Sequence, residues 1–330
     1  DNDGPDVSVT GAPANWVNTD QTADVSCSDG GCGCDSSTLR LYESSTDISS
    51  CPTDYSLYTI TPPYTVTTRK WFCAAGKDNL GNLGISAVDV EFKIDKTPPD
   101  PPTISSPAEG SWQTSDFTAL VSDSDSGGSG LKGCEYRVYS GGAYTLDWTA
   151  RTCNAETPAI TVGASGQCNV EGYKACRIEV RANDTAGNVG QPTWRNISID
   201  WTAPSTSITS PASGTLFNAT TTPNFTVTFS DSDNVQLSTC YYKVESYNGT
   251  TWILTHDWEV RACNGEANIT ISATGDCRHN GDNTCRVWSK AVDAAGHVTT
   301  SYTTYSMEGI EYIPSVWTVS YTHLTLPTKA

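Results

Sequence analysis

Two stretches decide the fold, and they are one stretch written twice. Cys168–Gly187 reads CNVEGYKACRIEVRANDTAG and Cys277–Gly296 reads CRHNGDNTCRVWSKAVDAAG. In each, a second Cys follows after eight residues, and the Gly of an Asp-x-Ala-Gly turn follows after eleven more. The match runs upstream: Cys134-Glu-Tyr-Arg-Val138 answers Cys240-Tyr-Tyr-Lys-Val244, and Trp148 stands five residues before Cys153 as Trp258 does before Cys263. Four cysteines and a shared turn define a repeat of about 105 residues. A degenerate earlier copy ends in Asp78-Asn-Leu-Gly-Asn82.

Within the stretch the pattern has period two. In Arg177-Ile-Glu-Val-Arg-Ala182 the apolar Ile178, Val180 and Ala182 fall on one face and Arg177, Glu179 and Arg181 on the other, the signature of a half-buried antiparallel strand. Short strands with Gly, Asn, Asp and Ser turns between them, and no segment of helical period, predict an all-β protein. Repeats of about 100 residues fit small β-sandwiches. The predicted domains are residues 1–97, 98–203 and 204–315. Asp95-Lys-Thr-Pro-Pro-Asp-Pro-Pro102 and Asp200-Trp-Thr-Ala-Pro204 separate them; proline there favours stiff, extended linkers and an elongated arrangement.

The chain has 330 residues, a net charge of -18 and a pI near 4.4. That excludes a nucleic-acid phosphate backbone or an anionic membrane surface as a general partner, since both need a positive patch. Neither a signal peptide nor an apolar run of about 18 residues, the length of a membrane span, is present, so direct membrane insertion of this segment is not expected. The opening Asp1-Asn-Asp-Gly-Pro5 resembles the inter-repeat linkers and reads as a mature or clipped start. Val319-Ser-Tyr-Thr-His-Leu-Thr-Leu-Pro-Thr328 resembles a translated sequencing adapter. Residues 316–330, His323 included, are therefore taken as a non-native tail, with the natural chain continuing past about Thr318.

The 13 cysteines fall as five, four and four across the repeats. Recurrent spacing in an acidic, Ser/Thr-rich chain reads as a disulfide framework in an oxidising, extracellular compartment. Cys134 and Cys153 bracket a hairpin turning near Ser140-Gly-Gly142, and Cys168 and Cys176 staple the next loop. The expected bridges are Cys134–Cys153, Cys168–Cys176, Cys240–Cys263 and Cys277–Cys285, although four cysteines allow three pairings per repeat. Zinc at Cys277, His279 and Cys285 is the competing reading, but the sister repeat has no His between Cys168 and Cys176.

With the linkers Asp95-Lys-Thr-Pro-Pro99 and Asp200-Trp-Thr-Ala-Pro204 go Asn183-Asp-Thr-Ala-Gly-Asn188, Val292-Asp-Ala-Ala-Gly-His297 and Lys77-Asp-Asn-Leu-Gly-Asn82. On these residues the chain resembles the tandem immunoglobulin-like repeats of prokaryotic cell-surface proteins, over about residues 1–315. The resemblance implies three immunoglobulin-like sandwiches displayed outside the cell in a stalk, surface-layer or adhesin role. The four-cysteine framework departs from the usual cysteine-poor members. In the first repeat, Cys34 and Cys51 match the hairpin pair, and Cys27 with Cys73 would resemble the inter-sheet bridge of immunoglobulin domains. Counting back from Asp78, however, puts Phe72, Ala74 and Gly76 inward and Cys73 outward, and Cys32 is left over.

Calcium is the leading site hypothesis. Asp123-Ser-Asp125 and Asp231-Ser-Asp233 occupy the same strand end in two repeats, Asp1, Asp3 and Asp6 alternate near a linker, and Asp78, Asp184 and Asp293 recur at the turns. Hard cations want several oxygens, and clusters between repeats would stiffen a rod; the plainer reading is that Asp and Asn build turns. Glycosylation sequons stand at Asn183, Asn196, Asn218, Asn224, Asn248 and Asn268. Ten Trp and 15 Tyr raise sugar binding by stacking, with Trp288 on the register of Glu179; recurrence of Trp148 and Trp258 favours structural cladding. His256 beside Asp257 invites a catalytic reading, but the sister repeat has Leu146-Asp147 there and no catalytic motif is present. The sequence thus predicts a non-enzymatic structural or adhesive segment whose partners are surface proteins or glycans. The alternatives are an accessory segment of a secreted hydrolase or protease and a carbohydrate-binding module.

Overall fold

The computed structural model describes residues 2–311, so the expectation for residues 316–330 lies outside the described residues. The chain divides between Ile199 and Asp200 into two compact units. The first holds two β-sandwiches and the second holds one.

Repeat 1 contains β1 (Asp6–Thr10), β2 (Gln21–Ser28), β3 (Cys34–Ser44), β4 (Tyr64–Val66), β5 (Lys70–Asp78), β6 (Leu83–Ile85) and β7 (Val90–Phe92). Its sheets run β1-β2-β4 and β3-β5-β6, with β7 also on β5. Repeat 2 contains β8 (Thr103–Ser106), β9 (Trp112–Gln113), β10 (Leu120–Ser122), β11 (Leu131–Ser140), β12 (Ala143–Arg151), β13 (Gly172–Asp184) and β14 (Thr193–Ile199). β8 pairs with β10, and the larger sheet runs β12-β11-β13-β14-β9. Repeat 3 contains β15 (Ser205–Ser210), β16 (Leu216–Asn218), β17 (Asn224–Ser232), β18 (Leu237–Tyr247), β19 (Trp252–Arg261), β20 (Glu266–Thr270), β21 (Gly281–Asp293) and β22 (Val298–Glu308). Its sheets run β15-β17-β20 and β16-β22-β21-β18-β19. All three are immunoglobulin-like sandwiches of two packed sheets.

Each core follows the period-two pattern. Ile178, Val180 and Ala182 of β13 are sealed from solvent, opposite Val138, Tyr136 and Cys134 of β11. In β21, Val287, Ser289 and Ala291 turn inward in the same way. Repeat 1 packs Leu41, Phe72, Ala74 and Phe92 between its sheets, with the Phe72 and Phe92 rings 5.2 Å apart edge to face.

The structure pairs Cys134 with Cys153, Cys168 with Cys176, Cys240 with Cys263 and Cys277 with Cys285. That removes the zinc reading, because both sulfurs it needs in repeat 3 are in a bridge. Repeat 1 corrects both pairings considered for it: the bridges are Cys27–Cys34 and Cys51–Cys73, and Cys32 is a free thiol. The outward register of Cys73 is the reason. Phe72 and Ala74 point into the sandwich, while Cys73 and Ala75 point out and are covered by Cys51 and Tyr58, forming a second small core on the far side of β5. A cysteine facing out of the sandwich cannot bridge its two sheets.

Candidate functional site

The four aspartates predicted to bind calcium separate into two kinds. Asp123 and Asp231 are each paired with a buried arginine. Arg151 Nη1 and Nη2 donate to the two Asp123 oxygens at 2.9 and 2.5 Å, with both side chains fully buried. Arg261 makes the same fork on Asp231 at 2.6 and 2.9 Å. Asn154 and Asn264 close each site. In repeat 2 the Asn154 amide donates to Asp123 at 2.9 Å and its side-chain oxygen accepts the Asp123 amide at 2.7 Å. The equivalent bonds to Asp231 are 2.8 and 2.7 Å. Both asparagines hold a left-handed backbone, φ 54° and 58°, which Asn tolerates better than most residues. Burial pushes the Asp231 carboxyl up, but Arg261, Thr206 and Asn264 outweigh it and hold the pKa below its ordinary value.

These ion pairs were not read from the sequence, although a signal was there. Arg151-Thr-Cys-Asn154 and Arg261-Ala-Cys-Asn264 are the same Arg-x-Cys-Asn motif, and the disulfide at its centre fixes the strand end that carries the arginine.

Asp125 belongs to a different constellation. Its carboxylate comes together with those of Asp95 and Asp184, oxygen atoms of all three lying within 4.8 Å of one another. Asp95 ends repeat 1, Asp125 lies in the loop after β10, and Asp184 opens the Asp-x-Ala-Gly turn. The turn chemistry is real: Asn188 donates to the two Asp184 oxygens at 2.8 and 2.7 Å and to the Asp95 carbonyl at 2.9 Å. Asp95 accepts from Thr97 at 3.0 Å and Ser129 at 2.9 Å. Burial works against its charge, yet these hydrogen bonds keep its pKa below the ordinary carboxylate value. Gly127 is required here, because a Cβ would stand 2.5 Å from an Asp95 oxygen. One atom is left over. Asp125 Oδ1 accepts from the Gly127 amide at 3.0 Å, while Oδ2 is shielded from solvent and has no hydrogen-bond partner.

Repeat 3 builds a related cluster from Asp200, Asp293 and His297. His297 stands where repeat 2 has Asn188, its Nδ1 2.9 Å from Asp293 Oδ2. Asp233 is outside that set; its Oδ2 accepts from Val235 and Gln236 at 2.8 and 2.6 Å. In repeat 1, Asp29, Cys32 and Asp78 converge, and Asp3, Asp6 and Asp29 line an open acidic depression of about 530 Å³. Asp1 lies outside the described residues.

The remaining predicted residues divide as follows. Asn224, Asn248 and Asn268 are exposed. Asn196 and Asn218 are half-buried, with their amides donating to Glu109 and Glu308, and Asn183 sits within β13 with its Oδ1 shielded. His256 turns away from Asp257 and meets Glu259 at 2.7 Å and Asp276 at 3.4 Å, stacked on Tyr242. Trp148 and Trp258 lie on the outer faces of the large sheets beneath cations: Arg137 and Arg181 are 4.4 and 4.0 Å from the Trp148 ring centre, Lys243 and Lys290 5.2 and 4.4 Å from that of Trp258.

No family model and no curated protein matches the chain. Among solved structures it is similar to a tetra-tandem repeat in the extending region of a large adhesion protein, at 13% identity over 93% of this chain and 74% of that one, with a TM-score of 0.29. It is also similar to extracellular cadherin domains 3–6 of protocadherin gamma B2, at 13% identity over 94% and 78%, with a TM-score of 0.32. A third is the FN1–FN3 segment of chicken CNTN1, at 10% identity over 91% and 98%, with a TM-score of 0.27. At these scores the fold assignment rests on the strand pairings above. Among the described residues no helix is long and apolar enough to cross a membrane.

Proposed function

We propose that the chain is a non-enzymatic structural and adhesive segment of a larger extracellular surface protein of prokaryotic type, with calcium locking the boundary between repeats 1 and 2. The observation that carries the reading is the convergence of Asp95, Asp125 and Asp184, one from the end of a repeat and two from the next, a loop residue and the last residue of β13, around a buried carboxylate oxygen that no donor satisfies. Like charges this close repel, and a cation removes that cost while satisfying the orphaned oxygen. The donors are all carboxylate oxygens, which suits calcium. The repeat 3 cluster offers two carboxylates and an imidazole, which moves it toward softer metals. Six disulfides support the extracellular placement.

Calorimetric titration of the chelator-treated full chain with calcium tests this. One site whose heat disappears in Asp125→Asn and persists in Asp123→Asn is the expected result. Binding untouched by Asp125→Asn, or no binding, overturns the calcium reading.

A further inference from the structure

The outer faces of the two large sheets occupy the same register but are not charged alike. In repeat 2 every arginine of that face has a carboxylate. Arg137 and Arg177 both reach Glu179, each at 2.6 Å, and Arg181 reaches Glu135 at 2.7 Å. In repeat 3, β21 presents Arg286, Trp288 and Lys290 outward, opposite Glu245, Lys243 and Tyr241 of β18. Three cations stand there with one acid, which two of them reach. Glu245 accepts from Lys243 at 2.9 Å, from Arg286 at 2.8 and 2.5 Å and from the Trp288 indole at 2.8 Å.

Lys290 is the excess. Its ammonium lies 4.0 Å from the Tyr241 ring centre and 4.4 Å from that of Trp258, and it meets no carboxylate among the described residues. Aromatic rings hold a cation without neutralising it. A net positive face is therefore kept in place on a chain whose total charge is -18. Beside it, Tyr302 of β22 pairs with Trp288 and is 52% exposed, with its ring 4.7 Å from that of Trp288. Arg286 and Lys290 flank Trp288 on one strand, about 13 Å apart at the usual rise per residue.

We propose that this face of repeat 3 binds an acidic polysaccharide. Such a chain carries anionic groups at intervals to meet Lys290 and Arg286, and sugar rings between them whose apolar faces stack on Tyr302 and Trp288. Duplex nucleic acid needs a larger positive surface than three cations supply, and the overall charge repels it. The inference stands apart from the calcium reading.

Affinity electrophoresis of the full chain in gels containing dextran sulfate or neutral dextran, with chelator present, tests it on two polymers that differ only in sulfation. Retardation by dextran sulfate and none by dextran is expected. Lys290→Met, which keeps the aliphatic stem over the rings, and Tyr302→Ala, at an exposed position, should each weaken binding roughly threefold to fivefold, as loss of one surface contact does. Arg181→Met, at the corresponding place in repeat 2, should bind as the parent does. Near-ultraviolet circular dichroism checks that each variant keeps its packing. Absence of retardation, equal retardation by neutral dextran, or parental binding by both repeat 3 variants overturns the proposal. So does equally strong retardation by duplex DNA.

Discussion

Repeats 2 and 3 secure one strand end with a buried Asp–Arg fork and an adjacent disulfide; repeat 1 has neither at that place. In the later repeats the strand after β11 or β18 returns as a hairpin, and its last residue is Arg151 or Arg261. In repeat 1 the chain after β3 does not return as a strand. It passes through a short 3-10 turn at Tyr55–Leu57 and lies across the outside of β5, tied there by Cys51–Cys73. With no returning strand there is nothing to carry the arginine, and the disulfide moves to the element that replaces it. The staple follows the local topology more closely than it follows the repeat alignment.

The largest effect expected from breaking this contrast is at the fork. Arg261→Met leaves Asp231 buried and uncompensated and should cost about 3–5 kcal/mol, whereas the double change Asp231→Leu with Arg261→Met should recover most of the loss. Hydrogen exchange across Leu237–Tyr247 reports it locally. A single change costing under about 1 kcal/mol, the range of a surface pair, would show that the fork is not the joint it is taken to be.

The second effect concerns repeat 1. Replacing Cys51 and Cys73 by serine should cost about 2–4 kcal/mol, the ordinary range for a disulfide. It should release Tyr58, now 3% exposed, so that hydroxyl-radical labelling of that tyrosine rises while Phe229 and Tyr305 of repeat 3 keep their labelling. Equal labelling of Tyr58 in both forms would mean that the outer cluster stands without its bridge.

A smaller effect is set by pH at Asp78, the turn aspartate of repeat 1. Burial pushes the Asp78 carboxyl up, but hydrogen bonds from Cys32, Asn82 and Leu80 prevail and hold its pKa at about 2. A folded value below the unfolded one, about 3.9, stabilises the native state above the unfolded value. That contribution fades as pH falls from about 4 through about 2. Asp78→Asn should flatten this limb of the acid-unfolding curve, and an unchanged limb would assign it to other carboxylates.

Much of the architecture was legible. The duplicated Cys168–Gly187 and Cys277–Gly296 stretches contain the whole of β13 and of β21, so alternation there gave the inward and outward residues directly. The exception is Glu179, on the outer side of β13 yet buried, because Arg137 and Arg177 close over it. The cysteines of repeats 2 and 3 are close in sequence, one pair of each repeat bracketing a hairpin and the other stapling a loop, so local spacing carried their pairing. In repeat 1 the partner of Cys73 lies in an irregular loop, which has no period to read. The site was half legible. Asp-Ser-Asp marks both a fork residue and a member of the proposed cation cluster, and two residues of identical type diverge because β10 ends at Ser122 and the chain has left the strand by Asp125. Only tertiary structure brings Arg151 to the first and Asp95 to the second.

The proposed lock at Asp95, Asp125 and Asp184 meets its most direct test at the neighbouring peptide bond. Asp95 accepts from the Thr97 amide, and Lys96 between them has an exposed side chain. Trypsin cleavage after Lys96, followed by mass spectrometry with calcium and with chelator, reads whether a cation orders this segment. Slow cleavage in calcium, fast cleavage in chelator and fast cleavage of Asp125→Asn in both is the predicted result. Equal rates in calcium and in chelator for the parent chain would contradict it.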